Sequence, residues 1–134
     1  MGKNSITSPG NDLYPKPHSL TASFGYALAG LASAIKTERN LRIHLVAMAL
    51  ALIIGIALHL SVIEWCLIVI LCGLVISAEL FNTAIEKSLN VVTRQYNAEV
   101  KRIKDIAAGA VFVMAIAAAA IGLIIFISAA LRLV

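Results

Sequence analysis

The sequence predicts an all-α membrane protein with three transmembrane helices, and three observations carry that prediction. The 134-residue chain is 60% hydrophobic and only 13% charged, with a mean hydropathy of +0.93. Soluble domains run at roughly 45–50% apolar and about 25% charged. A chain this short has too much surface per unit volume to hide such an excess from water. Secondly, the stretches Ile43 to Ile63, Trp65 to Ala78 and Ile106 to Leu131 carry no Asp, Glu, Lys or Arg. Thirdly, the Lys and Arg residues flank these stretches and do not interrupt them. A soluble monomer and a disordered chain are thereby excluded, and the length admits one domain.

Residues 1–17 are rich in Gly, Pro, Asn and Ser and lack a signal-peptide-like apolar run, which predicts a disordered cytosolic tail. From Ser19 to Ile35, Leu20, Phe24, Leu28, Leu31 and Ile35 recur at helical spacing. That apolar stripe predicts an amphipathic helix, lying on the membrane surface or packed on other helices. A span needs about 20 residues of apolar helix. The first span is expected at about 41–62 and the third at about 104–131. The second, at about 64–89, is long enough only if its helix continues past Glu79. Cys66 and Cys72 sit six apart inside that second run and read as small hydrophobes, without the spacing of a metal site or a disulfide.

Lys3, Lys16, Lys36, Arg39 and Arg42 precede the first span; Lys87, Arg94, Lys101, Arg102 and Lys104 lie between the second and third. The link from His59 to Glu64 has neither Lys nor Arg, and only Arg132 follows the third span. The positive-inside rule then places the N-terminus and the second loop in the cytosol and the C-terminus outside. The net charge of +4 is a topology signal on this reading, and no nucleic-acid partner is expected. There is no internal repeat, and three spans exclude an inverted-repeat transporter built from one chain.

The chemistry lies in a set of polar residues at one predicted depth. Glu79, Asn82 and Glu86 fall at i, i+3 and i+7, which share one helical face. With Glu64 and Trp65 at the outer interface, Glu79 lies roughly 22 Å further in at about 1.5 Å per residue, just beneath the cytosolic boundary of a core about 30 Å thick. Lys104 and Asp105 stand directly before the third apolar stretch, whose small residues Ala107, Ala108, Gly109 and Ala110 permit close helix approach. Glu38 lies just before the first span. Two carboxylates suit magnesium, which takes one or two together with phosphate oxygens and water. A lysine neutralises phosphate charge, and a deeper carboxylate can accept the proton of a hydroxyl still in the lipid.

Spacing alone also admits plainer roles. Glu38 and Arg42 at i, i+4 suit a helix-surface ion pair. Lys104 and Asp105 suit a loop end that anchors a helix, Glu86 a solvated surface position, and Glu64 with Trp65 interface anchors. His44 and His59, fifteen apart, suit packing or interface positions. A small transporter or channel subunit would use Glu79 as an ion site, but it would not need polar groups gathered at the rim. An intramembrane carboxylate is costly and usually functional.

The run Glu79-Leu-Phe-Asn82-Thr-Ala-Ile-Glu86, followed by Lys104-Asp105 before a small-residue helix, resembles the prokaryotic diacylglycerol kinase family, which includes the undecaprenol kinases. Thr37-Glu38-Arg39-Asn40 and Ser61-Val62-Ile63-Glu64-Trp65 resemble the undecaprenol kinase branch, and the likeness spans about Phe24 to Ile127. It implies three transmembrane helices plus an N-terminal amphipathic surface helix within a single membrane kinase domain, 18–134. It implies a homotrimer with sites between subunits, in the bacterial cytoplasmic membrane. The implied reaction moves the γ-phosphate of MgATP to the hydroxyl of a membrane lipid alcohol, undecaprenol or diacylglycerol. By position, Glu79 resembles the catalytic base and Asn82 its polar support. Glu38 and Glu86 resemble the metal ligands, and with Tyr26, Tyr96, Lys104 and Asp105 they form the implied nucleotide site. Two positions depart from the family pattern: Asn90 stands where an Asp is usual, and Asn97 where a His is common.

Overall fold

The computed structural model describes residues 19–93 and 95–133. The expected tail at 1–17 lies outside the described residues, as do Arg94 and Val134. Among the described residues all regular structure is helical: α1 (Leu20–Thr37), α2 (Arg39–Ala57), α3 (Val62–Val92) and α4 (Ala98–Leu131). The last three are each long and apolar enough to cross a membrane. The described residues divide into two units, with the boundary between Ala32 and Ser33 inside α1.

Helices α1, α3 and α4 begin where a side chain satisfies free N–H groups of the first turn. The Ser19 hydroxyl accepts from the Ala22 N–H at 3.2 Å, which starts α1. Extended backbone at Glu38 (φ −97°, ψ 118°) separates α1 from α2. The turn after α2 places His59 in left-handed backbone, φ +50°, a conformation that costs a non-glycine residue roughly 1–2 kcal/mol. Ser61 then caps α3 with a capping box: its backbone N–H donates to Glu64 Oε2 at 2.8 Å, and its Oγ accepts from the Glu64 N–H.

The helix α3 continues through Glu79 to Val92, the extension that the second span requires. The Asn97 Oδ1 accepts from the N–H groups of Glu99 (2.9 Å) and Val100 (3.3 Å), so α4 starts at Ala98. Lys104 and Asp105 therefore lie inside a helix, and the plainer expectation that they end a loop is corrected. The cause is the Asn97 cap, reinforced by the i, i+3 and i, i+4 pairs Glu99–Arg102 and Lys101–Asp105.

In the second unit α3 is central, packing most extensively on α4 and then on α2, while α2 and α4 meet sparingly. The core sits at the Glu64 end, where Leu60, Ile68, Ile125 and Ala129 are buried and Leu52, Trp65 and Phe126 pack against them. Gly55 makes room for the Trp65 ring: a Cβ at Gly55 would stand 2.8 Å from Trp65 Cη2. Arg132, just past α4, donates to both Glu64 carboxylate oxygens at 2.8 and 2.9 Å. Glu64 and Trp65, expected as interface anchors, thus also have partners within the protein. Outward apolar residues such as Ile53, Ile56, Val69, Ile70, Phe112 and Ile124 remain exposed, a surface suited to acyl chains.

Two stability predictions follow from this packing. Gly55→Ala is expected to cost about 1–3 kcal/mol through overpacking, and Trp65→Phe in the same chain should recover part of it. Arg132→Ala is expected to lower the thermal midpoint by releasing the end of α4 from the start of α3. Thermal denaturation in detergent reads both effects.

Candidate active site

The inward face of α3 changes character along its length. Ile68 and Val75 are buried apolar residues, and one turn on the same face carries Glu79, Asn82 and Thr83. Glu79 is 3% exposed, and Asn82 and Thr83 are each 7% exposed. Glu86, one turn further, is half-buried. Glu79 stands close enough to His44, Glu86 and Glu38 for their charges to act on it. The fold therefore leaves Glu38 and Glu86, with His44 of α2, within electrostatic range of Glu79. The Asn82 Oδ1 is buried without a hydrogen-bond partner. Such an acceptor costs roughly 1–3 kcal/mol, and a ligand donor is a standard reason to retain one.

Glu38 does not pair with Arg42. Its Oε1 accepts from the Thr37 hydroxyl at 2.7 Å and lies 3.1 Å from Lys87 Nζ, which also donates to Thr37 Oγ1 at 3.0 Å. Arg42 instead directs Nη1 to the Lys36 carbonyl at 3.5 Å. The Thr37–Glu38–Lys87 group fastens the start of α2 to the last turns of α3. The Thr37 hydroxyl first, then Lys87, hold the Glu38 carboxyl below its ordinary value.

No group of three or more His, Cys, Asp or Glu residues forms a metal cage among the described residues. Magnesium does not require one, because it is commonly held by one or two carboxylates together with substrate phosphates and water. Both contacts to Glu38 fall on Oε1. Glu38 and Glu86 each lie within electrostatic range of Glu79, and carboxylates of this kind fit a magnesium that arrives on a nucleotide.

Lys104 Nζ donates to Asn90 Oδ1 at 2.7 Å, joining α4 to α3. Asn90 shares the Glu79 face three turns on, about 16 Å along the axis, so Lys104 reaches that face at a distance from Glu79. Asp105 pairs with Lys101 on its own helix. Tyr96 is exposed on the 93–97 link, and Tyr26 belongs to the first unit.

The sequence reading missed four residues of this region: His44, Thr83, Lys87 and Asn90 as the partner of Lys104. Thr83, four residues after Glu79, was readable from the helical period. The partners of Lys87 and Lys104 lie on other helices, which no local spacing announces.

Residues 25–126 match the family described as Prokaryotic diacylglycerol kinase. Over 105 residues the chain is 43% identical to an undecaprenol kinase of Bacillus subtilis (strain 168), covering 78% of this chain and 85% of that relative. It is 39% identical over 105 residues to a diacylglycerol kinase of Synechocystis sp., covering 78% of this chain and 60% of that relative.

The Glu38 environment sets a pH dependence. Its carboxyl is lowered in the folded protein from an ordinary value of 4.5, so its stabilising contribution is complete above that value and is lost as pH falls through the lowered one. Wild type should exceed Glu38→Gln in thermal midpoint at pH 7, and the two should converge as the medium is acidified below 4.5. A constant gap across a midpoint series from pH 7 to about 3 would contradict this.

Proposed function

The chain belongs to the prokaryotic diacylglycerol kinase family and is a membrane lipid kinase, and we propose that it transfers the γ-phosphate of MgATP to the hydroxyl of a membrane lipid alcohol at the Glu79 face. The observation that carries this reading is the buried pair of Glu79 and the unpartnered Asn82 Oδ1 on one face of α3. A carboxylate there accepts the hydroxyl proton while the hydroxyl oxygen attacks the γ-phosphorus. The bond from that phosphorus to the β–γ bridging oxygen breaks, and ADP leaves. Asn82 holds a donor of the bound substrates in register. Glu38 and Glu86 hold the magnesium, which when bound neutralises phosphate charge. Lys104 meets the phosphates from α4, while Tyr96 and Asp105 complete the nucleotide site.

The preferred acceptor is undecaprenol. The relative that shares 43% identity is named for it, and the Thr37-Glu38-Arg39-Asn40 and Ile63-Glu64-Trp65 runs resemble that branch. The protein works as a homotrimer in the bacterial cytoplasmic membrane. Tyr96 and Asp105 are exposed in the single chain, a position suited to a site completed by a neighbouring subunit. The Lys and Arg residues near the 93–97 link support a cytosolic placement of that end and of the N-terminus, with the C-terminus outside. α1 lies on the membrane surface with its apolar stripe towards lipid.

Purified protein in mixed micelles with labelled ATP, magnesium and undecaprenol, diacylglycerol or no lipid tests the proposal. Labelled undecaprenyl phosphate is the expected main product. Glu79→Gln should lower turnover by about 10²–10⁴-fold while nucleotide binding is retained. Normal turnover in that variant would remove Glu79 from the base role, and no MgATP-dependent product with either lipid would overturn the proposal.

A further inference from the structure

Thr37 and Glu38 lie at the break between α1 and α2, and Lys87 reaches them from α3. The three side chains close a ring of contacts. The Thr37 hydroxyl donates to Glu38 Oε1 at 2.7 Å, while Lys87 Nζ lies 3.1 Å from that same oxygen and donates to Thr37 Oγ1 at 3.0 Å. Of the ion pairs among the described residues, this is the one that engages a carboxylate proposed as a magnesium ligand. Lys87 also directly follows Glu86, the other proposed ligand. An ammonium therefore stands at the carboxylate where a divalent cation is expected.

Fold stability is a weak reason for it. The Lys87 side chain is 50% exposed, and an ion pair so open to water contributes little to folding. The two partners of Glu38 also differ in kind. Thr37 is the adjacent residue, so its hydroxyl stays within reach whatever Lys87 does. Lys87 comes from another helix on a flexible four-carbon stem whose charged head turns easily. Glu38 thus has one fixed donor and one exchangeable cation. Two cations crowded on one carboxylate oxygen repel each other, so a divalent ion and the ammonium compete for it. An ammonium released beside Glu86 has a second partner in the phosphates of the nucleotide, which lysine binds as a point charge.

We propose that Lys87 is a phosphate ligand held in reserve on Glu38. Its ammonium offsets the charge of that carboxylate while the site is without a divalent cation, and moves to the nucleotide phosphates once the carboxylate is taken. Thr37 keeps Glu38 oriented through the exchange. The inference rests on the lipid kinase reading and adds to it a nucleotide contact that spacing along α3 does not announce.

Two binding measurements test this without turnover: Mn²⁺ alone as the probe for the metal, and a fluorescent, non-hydrolysable ATP analogue in EDTA as the probe for the phosphates. An ammonium that occupies Glu38 in about nine-tenths of molecules weakens a competing cation about tenfold. Lys87→Met is therefore expected to tighten Mn²⁺ up to about tenfold and to weaken the metal-free analogue several-fold. Its thermal midpoint without ligands should stay near that of wild type, and Lys87→Gln serves as a second neutral variant. Repeating the analogue measurement in a Glu38→Gln background separates an exchanged contact from a charge that merely lies nearby. With its resting partner gone, Lys87 should contribute several-fold more to the analogue's affinity, whereas a charge acting from a distance contributes equally in both backgrounds.

Equal contributions of Lys87 in the two backgrounds would overturn the proposal. So would neutral variants in which the two affinities move in the same direction or either one stays fixed. These outcomes are distinct from failure of the kinase reading. Opposite changes and the expected coupling without phosphate transfer to any lipid would uphold the exchange and sink the transfer mechanism, whereas transfer without that coupling would do the reverse.

Discussion

A carboxylate on a helix that crosses hydrocarbon has to be surrounded by protein, and the placement of Glu79 at 3% exposure imposes that requirement on the rest of the second unit. An acidic side chain at the centre of a span costs roughly 2.5–3.5 kcal/mol on insertion scales. The cost falls when neighbouring helices supply polar company and exclude lipid. Here α3 occupies the middle of the unit, and its inward face carries Glu79, Asn82 and Thr83 where one turn earlier it carries Val75. α2 brings His44 into electrostatic reach, and its start brings Glu38. The central position of α3 and the burial of its polar face are one constraint seen at two scales.

The two ends of the bundle are held by different means. At the Glu64 end the contacts are dense: the Ser61 capping box, the paired Arg132–Glu64 hydrogen bonds and the Trp65 ring seated over Gly55. At the other end long side chains reach between helices, Lys87 to Glu38 and Lys104 to Asn90. Fixed contacts at one end set the helix positions along a unit whose middle holds an apolar groove lined by residues of α2, α3 and α4. Surface pairs of this kind contribute little stability individually, so the Lys87 and Lys104 contacts matter more for where they hold charge than for how tightly they hold the fold.

The charge arrangement also gives a physical reading of Asn90. Lys104 donates to a neutral amide, so its positive charge is not cancelled by that contact. Lys101 and Arg102 on the same helix are paired with Asp105 and Glu99. A lysine held in place by a neutral acceptor keeps its charge for a phosphate, whereas one held by a carboxylate shares it.

The sequence by itself determined the helical class, the three spans and the identity of the polar face. These depend on local quantities: apolar length against a bilayer of fixed thickness, and the 3.6-residue period that puts Glu79, Asn82 and Glu86 together. A cap extended what hydropathy marked: Asn97 starts α4 ahead of the span expected at about 104–131, and Lys104 and Asp105 lie well inside the helix. Only the tertiary structure decided which side chains meet across helices. It gave Glu38 to Lys87 and not to Arg42, set His44 within electrostatic range of Glu79, and left an apolar groove lined by residues of α2, α3 and α4. Those outcomes depend on how far apart the helices sit and how they are rotated, and that is set by packing at Gly55, Trp65 and Leu60. A chain with many small apolar residues has no single spacing pattern that encodes such distances, so they emerge only when the whole bundle is assembled.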